Sequence, residues 1–167
     1  MGNTARGKAP LHIREDLMSG ETDLIKLYST KILALAAEIP HLGRLDAPDA
    51  SVKRRSPLCG STVTVDLTLE NGRVARFAQD VKACALGQAS AAVVGQAIIG
   101  RSEAEVETAR NQLKAMLTEG GPVPEAPFDG LEVLTPAREF KNRHASIMLA
   151  LEATLEAMQS AKKANCA

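Results

Sequence analysis

Between Thr62 and Glu70 the chain alternates without a break: Val63, Val65, Leu67 and Leu69 are apolar, and polar residues separate them. A period of two predicts a strand with one buried face. Asn71-Gly72 follows, the pair that most favours a tight hairpin turn because both positions accept positive φ. Arg73–Lys82 then returns as the second strand. Val74 fits its inward face, but Phe77 and Val81 fall out of step with Val74. A one-residue bulge near Ala75-Arg76 restores the alternation. Counted outward to the open end of the hairpin, this register makes Cys59 and Cys84 near neighbours.

The flanking segments change period. Leu24, Leu27, Tyr28, Ile32, Leu35 and Ala36 recur at helical spacing, and Pro40 ends that run. Ser51–Arg55 reads as an edge strand, its Lys53-Arg54-Arg55 guarding the open edge. A helix is expected from Cys84 to Ile99, closed by Gly100. Ser102-x-x-Glu105 is a capping box that opens another, running to about Glu119. Residues 120–127 read as a surface loop and Phe128–Leu134 as a short helix. Thr135 is expected to cap a long final helix with Pro136 in its first turn. Phe140, His144, Ile147, Leu151 and Leu155 share one face of it. A helix, then strands, then helices predicts an α+β domain with helices on one sheet face. Residues 1–20 read as a lead-in, 21–160 as one domain and 161–167 as a tail.

Composition narrows the function. Lys and Arg together number 20, as do Asp and Glu, and aromatics make up 2% with no Trp. Without a basic excess or stacking platforms, nucleic-acid binding is disfavoured. The uncharged stretch between Lys82 and Arg101 is too short for a membrane span and carries Gln88 and Gln96. Residues 1–16 lack an apolar targeting core, so the three cysteines are expected as reduced thiols in the cytoplasm.

Two thiols converging in a reducing compartment point to soft-metal or sulfur chemistry. Cys84 stands where a strand gives way to a helix, a position that favours thiolates, with Lys82 nearby. An isolated cytosolic cysteine is more often a small buried hydrophobe; the pairing with Cys59 argues against that here. Gly60, after Cys59, permits close backbone approach to an ion, and Ser61 is expected to bond turn backbone groups. His144 is the natural third ligand, although a core histidine satisfied by one hydrogen bond has the same spacing. Lys141 and Arg143 flank it, either drawing anionic sulfur species or an acidic partner, or forming a solvated face. Cys166 reads as a bystander, and His12 and His41 have no partner spacing.

The segments Pro57-Leu58-Cys59-Gly60-Ser61, Lys82-Ala83-Cys84-Ala85-Leu86-Gly87-Gln88-Ala89-Ser90 and Arg143-His144-Ala145-Ser146-Ile147-Met148-Leu149-Ala150 resemble the NifU N-terminal, IscU and SufU family of iron–sulfur cluster assembly scaffolds. Pro40-His41-Leu42-Gly43 belongs to the likeness, which spans about Leu24–Met158. The stretch Thr118–Phe140 is similar to the SufU branch, which carries an insertion there. The resemblance implies a three-stranded antiparallel sheet with packed helices and a long C-terminal helix. It implies a labile iron–sulfur cluster on Cys59 and Cys84 with His144 as a further ligand, sulfur from a cysteine desulfurase, and delivery to apo iron–sulfur proteins. The protein would be a carrier and not an enzyme. Two departures stand out: the family's aspartate is Ser61, and its third cysteine is Ala145. The resemblance therefore leaves three outcomes: a water or a partner residue fills the fourth ligand position, two subunits of a homodimer share one cluster, or cluster assembly is lost and a carrier or regulatory role kept. The alternatives to the cluster reading are a zinc-bound sulfur-transfer accessory of the desulfurase and a metal-free interaction module.

Overall fold

The computed structural model of the chain describes residues 28–166. The expected lead-in, and the part of the first helix before Tyr28, lie outside the described residues. The first described helix, α1, is Thr30–Ala37, capped by Ser29, whose hydroxyl accepts from Ile32 N–H. Strands β1 (Ala50–Arg55), β2 (Thr62–Glu70) and β3 (Arg73–Lys82) form an antiparallel sheet in the order β1-β2-β3. Helices α2 (Ala85–Ala97) and α3 (Glu103–Thr118) follow, then a 3-10 segment (Asp129–Glu139) and the long helix α4 (Lys141–Cys166). The α+β architecture expected from the alternation is the one observed.

The hairpin register follows from its turn and bulge. Asn71 and Gly72 both adopt positive φ, 53° and 76°. Thr68 pairs with Arg76 and Leu69 with Val74, so Ala75 is the extra residue. Beyond that bulge Leu67 faces Phe77 and Val63 faces Val81, which keeps every large apolar side chain of both strands on one face. Helix α4 packs on that face, against β1 and β2, and also meets α2 and α3. Ile147, Leu151 and Met158 of α4 are fully buried there. Each such side chain stabilises the fold by about 1.5–3 kcal/mol. The Ser102–Glu105 capping box at the start of α3 forms as expected.

The final helix begins later than its capping signal suggests. Thr135 and Pro136 lie inside the 3-10 segment, and α4 starts at Lys141. Phe128, Leu131, Leu134 and Ala137 are all buried, a spacing of three that matches the three residues per turn of a 3-10 helix. That stripe holds the tighter winding, and Phe140 N–H closes it on Ala137 O before Arg143 N–H on Phe140 O opens α4. At the other end α4 continues through Cys166, into the segment expected as a tail.

Segment 40–49 ties the sheet together. Gln79 N–H donates to His41 O and Gly43 N–H to Gln79 O, alongside β3. Asp66 of β2, 1% exposed, accepts from Arg44 Nε (2.7 Å), Ser51 Oγ (2.6 Å) and Leu45 N–H (3.0 Å). Burial pushes this carboxyl up, but the bonds from Arg44, Ser51 and Leu45 outweigh it and hold it below the usual carboxylate range. A depressed carboxylate contributes stability that is present above its unfolded-state value and is lost as pH falls through the folded one. Asp66→Ala is expected to lower the unfolding free energy by about 2 kcal/mol at neutral pH. The gap from wild type should narrow below about pH 4. Urea unfolding across pH checks this; a gap independent of pH would show that the charge has no part in it.

Candidate functional site

The thiol end of the sheet is built from the turn between β1 and β2, the β3–α2 junction and the first turns of α4. In the turn, Ser56 N–H donates to Ser61 O and Gly60 N–H to Ser56 O, and Gly60 takes φ 71°. This tight turn carries Cys59 at its tip, exposed to solvent. Cys84 is the N-cap residue of α2 and half-buried. Its backbone carbonyl accepts from Gln88 N–H, while its sulfur makes no capping bond and turns instead toward α4.

Two buried serines, Ser61 and Ser146, join the two sulfurs, and a third, Ser56, bonds Cys59. The Cys59 thiol donates to Ser56 Oγ at 3.3 Å and lies 3.1 Å from Ser61 Oγ. Ser146 Oγ donates to Ser61 Oγ at 3.1 Å and lies 3.5 Å from Cys84 Sγ. Because Ser146 gives its proton to Ser61, the Ser61 proton is free for Cys59, and the Ser146 oxygen is free to accept from Cys84. A continuous path therefore runs Cys84–Ser146–Ser61–Cys59. Hydrogen bonds from Ser56, then from the Ser61 side chain and backbone, lower the Cys59 thiol to about 7 against the small opposing effect of burial.

Sequence reasoning brought the two cysteines to the same end of the hairpin, where the structure also has them. It missed Ser56 and Ser146, and it gave Ser61 a turn role. Ser61 does more, since its hydroxyl bonds a thiol and another serine. The signal for Ser146 was present: it is a polar residue next to Ile147 at the start of the long apolar run of α4, and it is 1% exposed.

His144 is held elsewhere. Its Nε2 lies 2.9 Å from Ala137 O and 3.2 Å from Arg138 O, at the end of the 3-10 segment. It thus bonds the last carbonyls of one element from the first turn of the next. Among the described residues, no three His, Cys, Asp or Glu side chains are grouped to hold a metal. Lys82 and Lys141 are exposed and Arg143 is half-buried. His41 meets the Phe77 ring edge-on at 6.0 Å. No helix among the described residues is long and apolar enough to cross a membrane.

Comparison with known proteins places the chain in a family and matches its fold. The profile of the NifU-like N-terminal domain matches residues 27–133. A crystal structure of a nitrogen-fixing NifU-like protein (N-terminal) from Brucella abortus is 40% identical, covers 84% of this chain and 98% of that one, and superimposes with a TM-score of 0.82. A putative iron–sulfur cluster assembly scaffold protein for the SUF system from Fervidobacterium islandicum AW-1 shares the fold at 18% identity. It covers 80% of this chain and 98% of its own, with a TM-score of 0.73. No curated protein matches the chain significantly.

The hydroxyl cage has a direct consequence for thiol reactivity. Alkylation of Cys59 by iodoacetamide in metal-free protein should rise through a midpoint near pH 7. Ser56→Ala should move that midpoint upward toward the ordinary thiol range, and Ser61→Ala should do the same. Mass spectrometry of the modified peptide reads the rate at each pH. An unchanged midpoint in both variants would remove the serines as its cause.

Proposed function

The chain belongs to the family of NifU-like N-terminal domains, and from that membership we propose that it is an iron–sulfur cluster assembly scaffold or carrier. The cluster is its cargo, held by Cys59 and Cys84 and passed to apo iron–sulfur proteins, with sulfur supplied by a cysteine desulfurase. The protein acts in the cytoplasm, where thiols stay reduced, and performs no turnover of its own. The observation that carries this reading is the convergence of an exposed and a half-buried thiol on one hydroxyl chain at the protein surface.

Iron–sulfur clusters are generally held by four thiolates, and this site brings two. The others come from outside it, from a second copy or from the protein exchanging the cluster. Such half-occupancy suits cargo that leaves again. His144 is an auxiliary donor in this reading, and its Nε2 reaches a metal only after leaving the Ala137 carbonyl. A resident zinc would likewise draw ligands from outside the two thiols, because a structural zinc site takes four and no group of three metal-binding side chains forms here among the described residues.

Anaerobic reconstitution with ferrous iron and sulfide is expected to produce thiolate-to-iron charge-transfer absorption. Cys59→Ser and Cys84→Ser should each lose most of it, and His144→Ala should keep most of it. Serine variants that absorb like wild type would overturn the assignment. Stoichiometric zinc in freshly purified protein, with enhanced desulfurase turnover, would favour the zinc-bound accessory instead.

A further inference from the structure

Among the described residues, one face of the sheet carries no helix. Val63, Val65 and Leu67 of β2 point into the core, so Thr62, Thr64 and Asp66 point the other way. Residues paired directly across strands share a face. Arg55 and Lys82 therefore flank Thr62, and Lys53 and Asp80 flank Thr64. Arg54, between the two β1 cations, turns to the helix side and meets Glu152 and Glu156 of α4.

The charges on this open face are unevenly neutralised. Toward the Asn71-Gly72 end, Arg44 pairs with Asp66. Toward the thiol end, Lys53, Arg55 and Lys82 are exposed and have no ion-pair partner among the described residues. Among the described residues of these strands, Asp80 is the acid set against them there, in a chain whose net charge is zero. Adjacent strands lie about 4.8 Å apart, so Arg55 and Lys82 bound a strip about 10 Å wide at the backbone. Immediately beyond its end, the turn that carries Cys59 projects Leu58, 73% exposed.

We propose that this basic strip and Leu58 form the docking surface for an acidic partner protein, which is thereby brought against Cys59 and Cys84. Charge complementarity identifies the partner. A second copy meeting this face with its own would set Lys53, Arg55 and Lys82 against the same three cations, and like charges juxtaposed across an interface disfavour it. A nucleic-acid backbone would meet Asp80 within the strip, find no aromatic side chain to stack on, and engage fewer cations than the 6–10 phosphate contacts of salt-dependent binders. A protein offering carboxylates around an apolar recess matches both parts, with Leu58 as the buried anchor and the cations as the steering rim. The surface stands on the sheet geometry; only the identification of its occupant as a sulfur or cluster exchange partner rests on the carrier reading.

The test has two arms. Isotope-labelled protein is titrated with a synthetic Glu- and Asp-rich peptide containing leucine, and backbone amide shifts are followed. Binding to purified cysteine desulfurase is measured by calorimetry at low and physiological salt. The expected shifts cluster on Lys53, Arg55, Leu58, Thr62, Thr64 and Lys82. The double variant Arg55→Glu/Lys82→Glu, or Lys53→Glu if that variant unfolds, should weaken peptide binding by about tenfold or more and abolish its salt dependence. Lys114→Glu, on α3, should leave it unchanged. Shifts centred elsewhere, variants that bind like wild type, or a single-stranded oligonucleotide that binds the strip more tightly than the peptide would each overturn the inference. If the peptide maps to the strip and the desulfurase does not bind, the surface stands and the carrier reading loses that partner.

Discussion

Helices α2 and α4 meet at Gly87 so closely that no other side chain fits. A Cβ placed there would lie 2.6 Å from Ser146 Oγ and 2.8 Å from the Ala83 Cβ, distances that real carbon atoms do not tolerate. The same approach lets Ser90 Oγ donate to Ile147 O at 2.7 Å, one turn further along. The arrangement at the thiol end follows from this contact. With α4 held against α2, Ser146 comes within reach of Cys84 at the start of α2 and of Ser61 at the start of β2. The bridge between the sulfurs is thus a by-product of helix packing, fixed by a glycine that takes no part in its hydrogen bonds.

What the sequence revealed and what it concealed divide along a physical line. Local signals were legible: the period of two in β2, the Asn71-Gly72 turn, the capping box at Ser102, and a bulge needed to reconcile Leu67 with Phe77. Each is set by residues close together in the chain. The 3-10 segment was also written locally, in the spacing of Phe128, Leu131, Leu134 and Ala137, but the Thr135-Pro136 pair carries a strong helix-start signal that masks it. Proline is tolerated there because the buried stripe outweighs any preference for α-helical winding from Pro136 onward.

The serine cage lay further out of reach. Ser61 and Ser146 are 85 residues apart and meet only in the folded chain, so no spacing rule links them. His144 shows the same limit from the other side. Its position beside Phe140 and Ile147 fitted a metal ligand and a core histidine equally well. Its Nε2 lies against two carbonyls at the 3-10 terminus, those of Ala137 and Arg138, and the first of these also accepts from Phe140 N–H.

The donors around Cys59 also bear on what the site is suited to hold. A carboxylate at position 61 would only accept hydrogen bonds and would add a negative charge beside an anionic sulfur. A hydroxyl both gives and accepts, so Ser56 and Ser61 can stabilise the thiolate with their protons and can also accept from the neutral thiol. They therefore accommodate the sulfur in either of its charge states. With a serine at position 61 in place of a carboxylate, the network that Cys59 shares with Ser56 and Ser146 carries no added charge and serves the sulfur both as thiol and as thiolate.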